Sequence, residues 1–257
     1  LLDVPTGPLV GHYAIVAKRA DNMFHLTIRD KNGGDIRQDW SPIPGGIFSQ
    51  SFSAPAITFV PQSSSVGPQR TLVVTGVGDN GVVWWAKNQL SLAFTYNHGS
   101  WTGFTELPGG NPVNQTFVGP PAITFACQTL LGAKSSIALA VMGLDPSGTR
   151  TFFSRKFTGT AWTGWSQAQN GTFHDGPALA GRIGCGVFTE TALFGLGEDD
   201  QIWVTTQLSG GAAGFTPLPS AAITLAGVPS AVGTASAANV AALTNTGFMT
   251  VNSAPSP

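Results

Sequence analysis

The pairs Trp101/Trp162, Trp84/Trp203 and Asp79/Asp199 recur in matching local contexts along this chain of 257 residues. Trp101 and Trp162 each open a "WTG" phrase. Trp84 stands in "VVWWAKN" and Trp203 in "IWVTTQL", each just after a polar turn, "GDNG" or "GEDD", that holds Asp79 or Asp199. An indole presents a flat, electron-rich face, and a short carboxylate beside it accepts hydrogen bonds. Together they can stack on the C–H face of a sugar ring and bind its hydroxyls. The competing interpretation is architectural: third-strand aromatics fill a core, and Asp and Asn serve ordinary turns.

Other chemistry is poorly represented. His12, His25, His98 and His174 show no ligand spacing, so no metal or cofactor is expected. Cys127 and Cys185 lack a zinc or redox spacing and read as two buried thiols or as a disulfide. A formal net charge of −1 gives no footprint for nucleic acid, and no apolar run is long enough to span a bilayer. Charged residues make up 10%, while 33 Gly and 18 Pro point to short strands and turns rather than helices. Low charge and abundant Ser, Thr and Gly lean toward an extracellular location. Asn114-Gln115-Thr116 and Asn170-Gly171-Thr172 fit the glycosylation sequon.

The elements that must hold these residues are written as a repeat. "WSPIPGG" (from Trp40), "FTELPGG" (from Phe104), "WSQAQNG" (from Trp165), "FTPLPS" (from Phe215) and "LLDVPTG" at the N-terminus are five versions of one phrase. "PAITF" follows at Pro55 and Pro121, with "PALAG" at Pro177. Each is succeeded by a β-rich run, a tight turn and a returning strand, as in "TLVVTGVGDNGVVWWAKN". A fixed period of four short antiparallel strands predicts an all-β, five-bladed β-propeller. Its ring is closed by residues 1–7, the outer strand of the last blade, pairing around Phe248–Ser253. The remaining blades span 8–46 (contracted), 47–110, 111–171, 172–220 and 221–257 within one domain.

Alternation in the third strands puts Val83, Thr151, Ile202, Phe24 and Phe248 on one face, and Trp84, Phe152, Trp203, His25 and Met249 on the other. In the outer strand, Trp40, Phe104, Trp165, Phe215 and Leu1 form a regular, structural column. The column three residues earlier reads Arg37, Trp101, Trp162 and Ala212. It is aromatic only twice, so Trp101 and Trp162 are released from architecture and become stacking candidates. Asp79, Trp84, Asp199 and Trp203 are the expected partners from neighbouring blades.

The order of second strand, Asp-Asn-Gly turn, aromatic third strand and "GSWTGFTELPGG" resembles the bacterial PLL-type fucose-binding propeller lectins, and five blades of this length are reminiscent of tachylectin propellers. The resemblance implies glycan partners, fucosylated or N-acetylated, at sites between blades, and is compatible with a homo-oligomer. A glycoside hydrolase is the catalytic alternative, but it requires paired carboxylates about 5–10 Å apart. "PAITFVP", "PAITFAC", "PALAGRIGCGVF" and "PSAVGTA" carry neither Asp nor Glu. The expectation is a lectin without enzymatic activity, with a protein-interaction platform as the other non-catalytic possibility.

Overall fold

Four hairpins in this chain close on the same five-residue turn. In Arg19–Met23, Gly78–Val82, Asp145–Thr149 and Gly197–Gln201, the first amide donates to the fifth carbonyl at 2.9–3.1 Å. The fourth amide donates back to the first carbonyl at 2.9–3.0 Å. The fourth position needs a positive φ, and it is filled by Asn22 (59°), Gly81 (68°), Gly148 (87°) and Asp200 (59°). Gly, Asn and Asp tolerate that left-handed backbone best, so the turn is fixed by local chemistry alone.

The computed structural model describes residues 2–3, 12–30, 36–49, 53–64, 67–90, 101–126, 136–158, 161–168, 171–181, 191–206, 214–218, 225–233, 237–244 and 249–255. Leu1, His98, Cys127, Cys185, Ala212 and Phe248, on which sequence expectations fall, lie outside them. No helix occurs among the described residues. Their strands form five antiparallel sheets, each in chain order. The first is β1 (Leu2–Asp3), β2 (His12–Lys18), β3 (Phe24–Asp30) and β4 (Ile36–Pro42). The second is β5 (Ala56–Ser64), β6 (Gly67–Val77), β7 (Val83–Leu90) and β8 (Thr105–Glu106). The third is β9 (Thr116–Ala126), β10 (Ser136–Leu144), β11 (Arg150–Phe157) and β12 (Ser166–Gln167). The fourth is β13 (Ala178–Gly181), β14 (Thr191–Leu196), β15 (Ile202–Thr205) and β16 (Thr216–Pro217). The fifth has three strands, β17 (Leu225–Gly233), β18 (Ala237–Thr244) and β19 (Met249–Pro255). Two compact units contain them, Leu1–Gly110 and Asn111–Pro257.

Two sequence expectations need correction. Leu2 and Asp3 pair with Ala14 and Tyr13, on the edge of the first sheet, not with the strand around Phe248–Ser253. A partner a few residues away closes a far shorter loop than one near the other end of the chain. The second correction is a register. Opposite the outer strand, Trp84 faces Glu106, Trp203 faces Pro217 and Phe153 faces Gln167. Phe153, not Phe152, is therefore the counterpart of Trp84. The turn Asp145–Thr149 has the common length, so the extra residues Arg150 and Thr151 lengthen the β10–β11 ladder instead of the loop. Phe152 consequently falls on the core face with Phe24, Val83 and Ile202, and all four are buried.

That face explains how the sheets are joined within each unit. In Leu1–Gly110, Phe24 of β3 stacks on Phe48 of the following loop at 3.9 Å and 6°, and Phe104 meets both edge-on. In Asn111–Pro257 the arrangement recurs: Phe152 stacks on Phe173 at 4.0 Å and 10°, with Phe215 edge-on. Each trio spans one sheet, its exit loop and the next sheet. Each aromatic pair contributes about 0.5–1.5 kcal/mol beyond the area it buries. A glycine lies under each trio, Gly76 beside Phe24 and Gly195 beside Phe152, where a Cβ would approach a ring to 2.3 Å.

Candidate functional site

The turn of the fourth sheet places its third residue, Asp199, so that the carboxylate folds back over the strand it precedes. Asp199 Oδ1 accepts from the Gln201 amide at 3.2 Å and from the Trp203 indole N–H at 2.9 Å. Oδ2 lies 3.2 Å from the same indole nitrogen. Gly197 makes this closure possible, since a Cβ there would stand 2.5 Å from Asp199 Oδ1 and 2.7 Å from Trp203 Nε1. The indole is thus oriented by a carboxylate and packs against the Phe152–Phe173–Phe215 cluster.

Beside it opens a cleft of about 670 Å3. Phe173, Phe215 and Trp203 supply its aromatic lining. Thr149 and Thr151 from the third sheet's hairpin, Thr172 from the loop, and Glu198 and Asp199 supply the polar groups. A cleft of this size, lined by rings, a few hydroxyls and carboxylates, suits a small polar molecule with an apolar face. One cation, Arg150, stands between the lining residues Thr149 and Thr151. Arg150 Nη1 donates to the His174 carbonyl at 3.1 Å, and the His174 ring lies 3.8 Å from Asp200.

The second sheet repeats the local geometry with different chemistry. The Trp84 indole N–H donates to Asn80 Oδ1 at 3.3 Å, and Asn80 Nδ2 donates to Glu106 Oε1 at 3.1 Å. Asp79 is turned the other way. Its carboxylate accepts the Ser49 amide at 2.8 Å and, in a very short contact, the Ser49 hydroxyl, tying the exit loop of the first sheet to this hairpin. In the first sheet the same position in the turn is Asp21. The Met23 amide first, and then the His25 ring at 2.7 Å, hold its carboxyl below the usual range. In the third sheet the Ser147 hydroxyl and the Thr149 amide do likewise for Asp145.

No protein-family model matches the chain, and no curated protein matches it in sequence. Solved structures do resemble it. A fucose-specific lectin from Aleuria aurantia is 12% identical with a TM-score of 0.54, covering 95% of this chain and 70% of that one. A variant of that lectin in complex with Fucα1-6GlcNAc is 14% identical with a TM-score of 0.52, covering 95% and 75%. The catalytic domain of a Coprinopsis cinerea GH62 α-L-arabinofuranosidase is 12% identical with a TM-score of 0.50, covering 96% and 89%. A further structure of the Aleuria lectin is described as a six-bladed β-propeller. At these identities the likeness establishes the fold, all-β and β-propeller-like, and nothing finer.

Trp101 and Trp162 occupy equivalent places of their own. Each forms an isolated bridge at the end of the third strand away from the turn, Trp101 with Asn88 and Trp162 with Phe157. The following threonines repeat one pattern: Thr102 and Thr163 accept the amides of Lys87 and Lys156 at 3.1 and 3.0 Å. Asn88 lies four positions along the strand from Trp84, about 13 Å at ~3.3 Å per residue, so Trp101 bridges the far end of the strand while both indoles pack on one core cluster. Trp101 packs on the aromatic and aliphatic core of its unit. Trp162 lies 5.3 Å from Phe157, and the guanidinium of Arg155 sits 5.5 Å from its ring and 4.9 Å from Trp165. Burial lowers the pKa of that guanidinium, and its Nη2 donates to the Thr163 carbonyl at 2.5 Å.

Of the six candidate residues, Asp199 and Trp203 line this cleft together. The structure adds Thr149, Thr151, Thr172, Phe173 and Glu198, which sequence reasoning missed. One signal was available: "GTFHD" after the third repeat phrase stands where "GIFSQ" stands after the first, and both put a buried Phe in the exit loop.

Proposed function

We propose that this chain is a carbohydrate-binding lectin without catalytic activity, built as a five-bladed β-propeller, extracellular, and holding glycans at sites between adjacent blades. The five sheets among the described residues support the blade number. The observation that carries the reading is the Trp203 cleft: an oriented indole, two further lining rings, threonine residues and a carboxylate with spare acceptor capacity, on a fold shared with fucose-specific lectins. A sugar stacked on Trp203 would exchange hydroxyl hydrogen bonds with Asp199, Thr149, Thr151 and Thr172. Trp84 with Asn80 is the corresponding place in the other unit, with Asp79 beside it in the same turn, and Trp101 and Trp162 offer stacking surfaces for further sites. The arabinofuranosidase likeness does not alter this. The strands β5, β9, β13 and β17, each at one edge of its sheet, contain no carboxylate, and Asp21, Asp79 and Asp145 are held in turn or loop contacts.

A glycan array with the purified chain tests the proposal, with fucosylated and N-acetylated oligosaccharides as first probes. Trp203→Ala should weaken binding of a retained glycan about tenfold or more, from the loss of about 1–3 kcal/mol of stacking. A blank array, or a Trp203→Ala variant that binds like the parent, removes the reading.

A further inference from the structure

We infer that the Trp203 cleft selects a saccharide bearing a protonated amino group over its N-acetylated or carboxylated counterpart; the inference rests on the lectin reading above. Among the described residues, the charged side chains lining the cleft are the carboxylates Glu198 and Asp199, with no Lys or Arg. Arg150, flanked by the lining residues Thr149 and Thr151, is turned to the His174 carbonyl, and the His174 ring lies toward Asp200. A carboxylate offers about four acceptor sites. Asp199 Oδ1 accepts two hydrogen bonds, while Oδ2 has the long 3.2 Å contact to the indole, so acceptor sites remain for a ligand.

The aromatic side points the same way. A cation over an indole face is favourable, and tryptophan is the best ring for it. Here the indole N–H donates to a carboxylate, which pushes electron density into the ring and strengthens that attraction. An ammonium beside Trp203 and Asp199 would meet both the ring face and the negative charge, whereas a uronic carboxylate would meet like charge.

The second sheet shows that the charge at position 199 is not needed to build the turn. There the neutral Asn80 occupies the same turn position and accepts the indole N–H of Trp84. Gly78 beneath it is as tightly packed against that indole as Gly197 is against Trp203. An amide is therefore sufficient for the structural task, and the carboxylate of Asp199 is surplus to it. Asp199→Asn should accordingly fold and keep the indole oriented while removing the charge.

The test is calorimetric titration of the full chain with tetramers of glucosamine, N-acetylglucosamine and galacturonate, at low ionic strength and a pH that keeps the amine protonated. The glucosamine tetramer should bind about tenfold more tightly than the N-acetylglucosamine tetramer, and the ratio should shrink as salt is added. Asp199→Asn, checked for an unchanged thermal midpoint, should bring the ratio of the two affinities close to one. Glu198→Gln, at an exposed side chain, is the second variant and should reduce the ratio about threefold. Equal or weaker binding of the amine, or a preference that survives both variants, overturns the inference and leaves the lectin reading standing. The same holds if none of the three tetramers binds while the array retains other glycans. If the array is also blank, both fall.

Discussion

Gly195→Ala asks whether the sheets of Asn111–Pro257 are held by the close approach of a glycine to an aromatic stack. Gly195 lies opposite Trp203 in the β14–β15 ladder. An alanine methyl there would stand 2.3 Å from Phe152 Cε2 and 2.6 Å from Phe173 Cδ1. Ordinary contact begins near 3.4 Å, so a ring or a strand must move by about 1 Å. The rings have little room: Phe152 and Phe173 are stacked at 4.0 Å and both are buried, with Phe215 against their edges. Overpacking of this kind costs about 1–3 kcal/mol. A gain of about 0.5–1 kcal/mol from replacing glycine within a strand offsets part of it. The net loss should lower the thermal midpoint by about 2–8 °C for a chain of this size. Urea unfolding and calorimetry would measure it. Gly164→Ala is the control, because no atom lies within 4 Å of a Cβ at that position. Adding Phe173→Leu to Gly195→Ala should recover part of the loss, a coupling that a double-mutant cycle isolates. A Gly195→Ala midpoint equal to the parent's, or independent additive effects of the two substitutions, would refute the packing argument. Because Phe173 lines the cleft, the same variant should also weaken the glycan binding proposed above.

Trp101→Ala should be destabilising by about 2–4 kcal/mol, since the ring packs on two core clusters; denaturant midpoints that match the parent's would return Trp101 to a purely binding role. The folded-state carboxyl of Asp21 is held below its ordinary value of 3.8 by the Met23 amide and His25. A depressed carboxyl contributes stability above the unfolded value and loses it as pH falls through the folded value. The midpoint difference between the parent and Asp21→Asn should therefore be present near neutral pH and shrink on acidification below about pH 4. A difference that is constant with pH would show that the Asp21 contacts do not depend on its charge.

The turns and the strand order were legible in the sequence because they depend on neighbours. Asp-Asn-Gly and Asp-Pro-Ser-Gly specify a hairpin wherever they occur, and alternation of side chains assigns two faces from a few residues. The regular column of Phe104 and Phe215 was read as structural for the same reason, and both rings are buried. The six candidate residues were recognisable as types, yet their companions were not. Whether a turn acid turns toward its own indole, as Asp199 does, or toward a serine 30 residues back, as Asp79 does, depends on which loop passes beside it.

The third-sheet register shows where local reading failed. Two residues beyond a turn of standard length can enter the loop or lengthen the ladder, and the choice moves Phe152 from one face to the other. It is decided by the ring pocket formed with Phe173 and Phe215, residues 21 and 63 positions away in the chain. The partner of Leu2–Asp3 was decided in the same way, by the cost of closing a loop rather than by the likeness of a phrase. The sequence by itself determined the strands, the turns and the kinds of side chain available. Only the tertiary structure decided which of them meet, because packing between sheets couples residues that no local pattern connects.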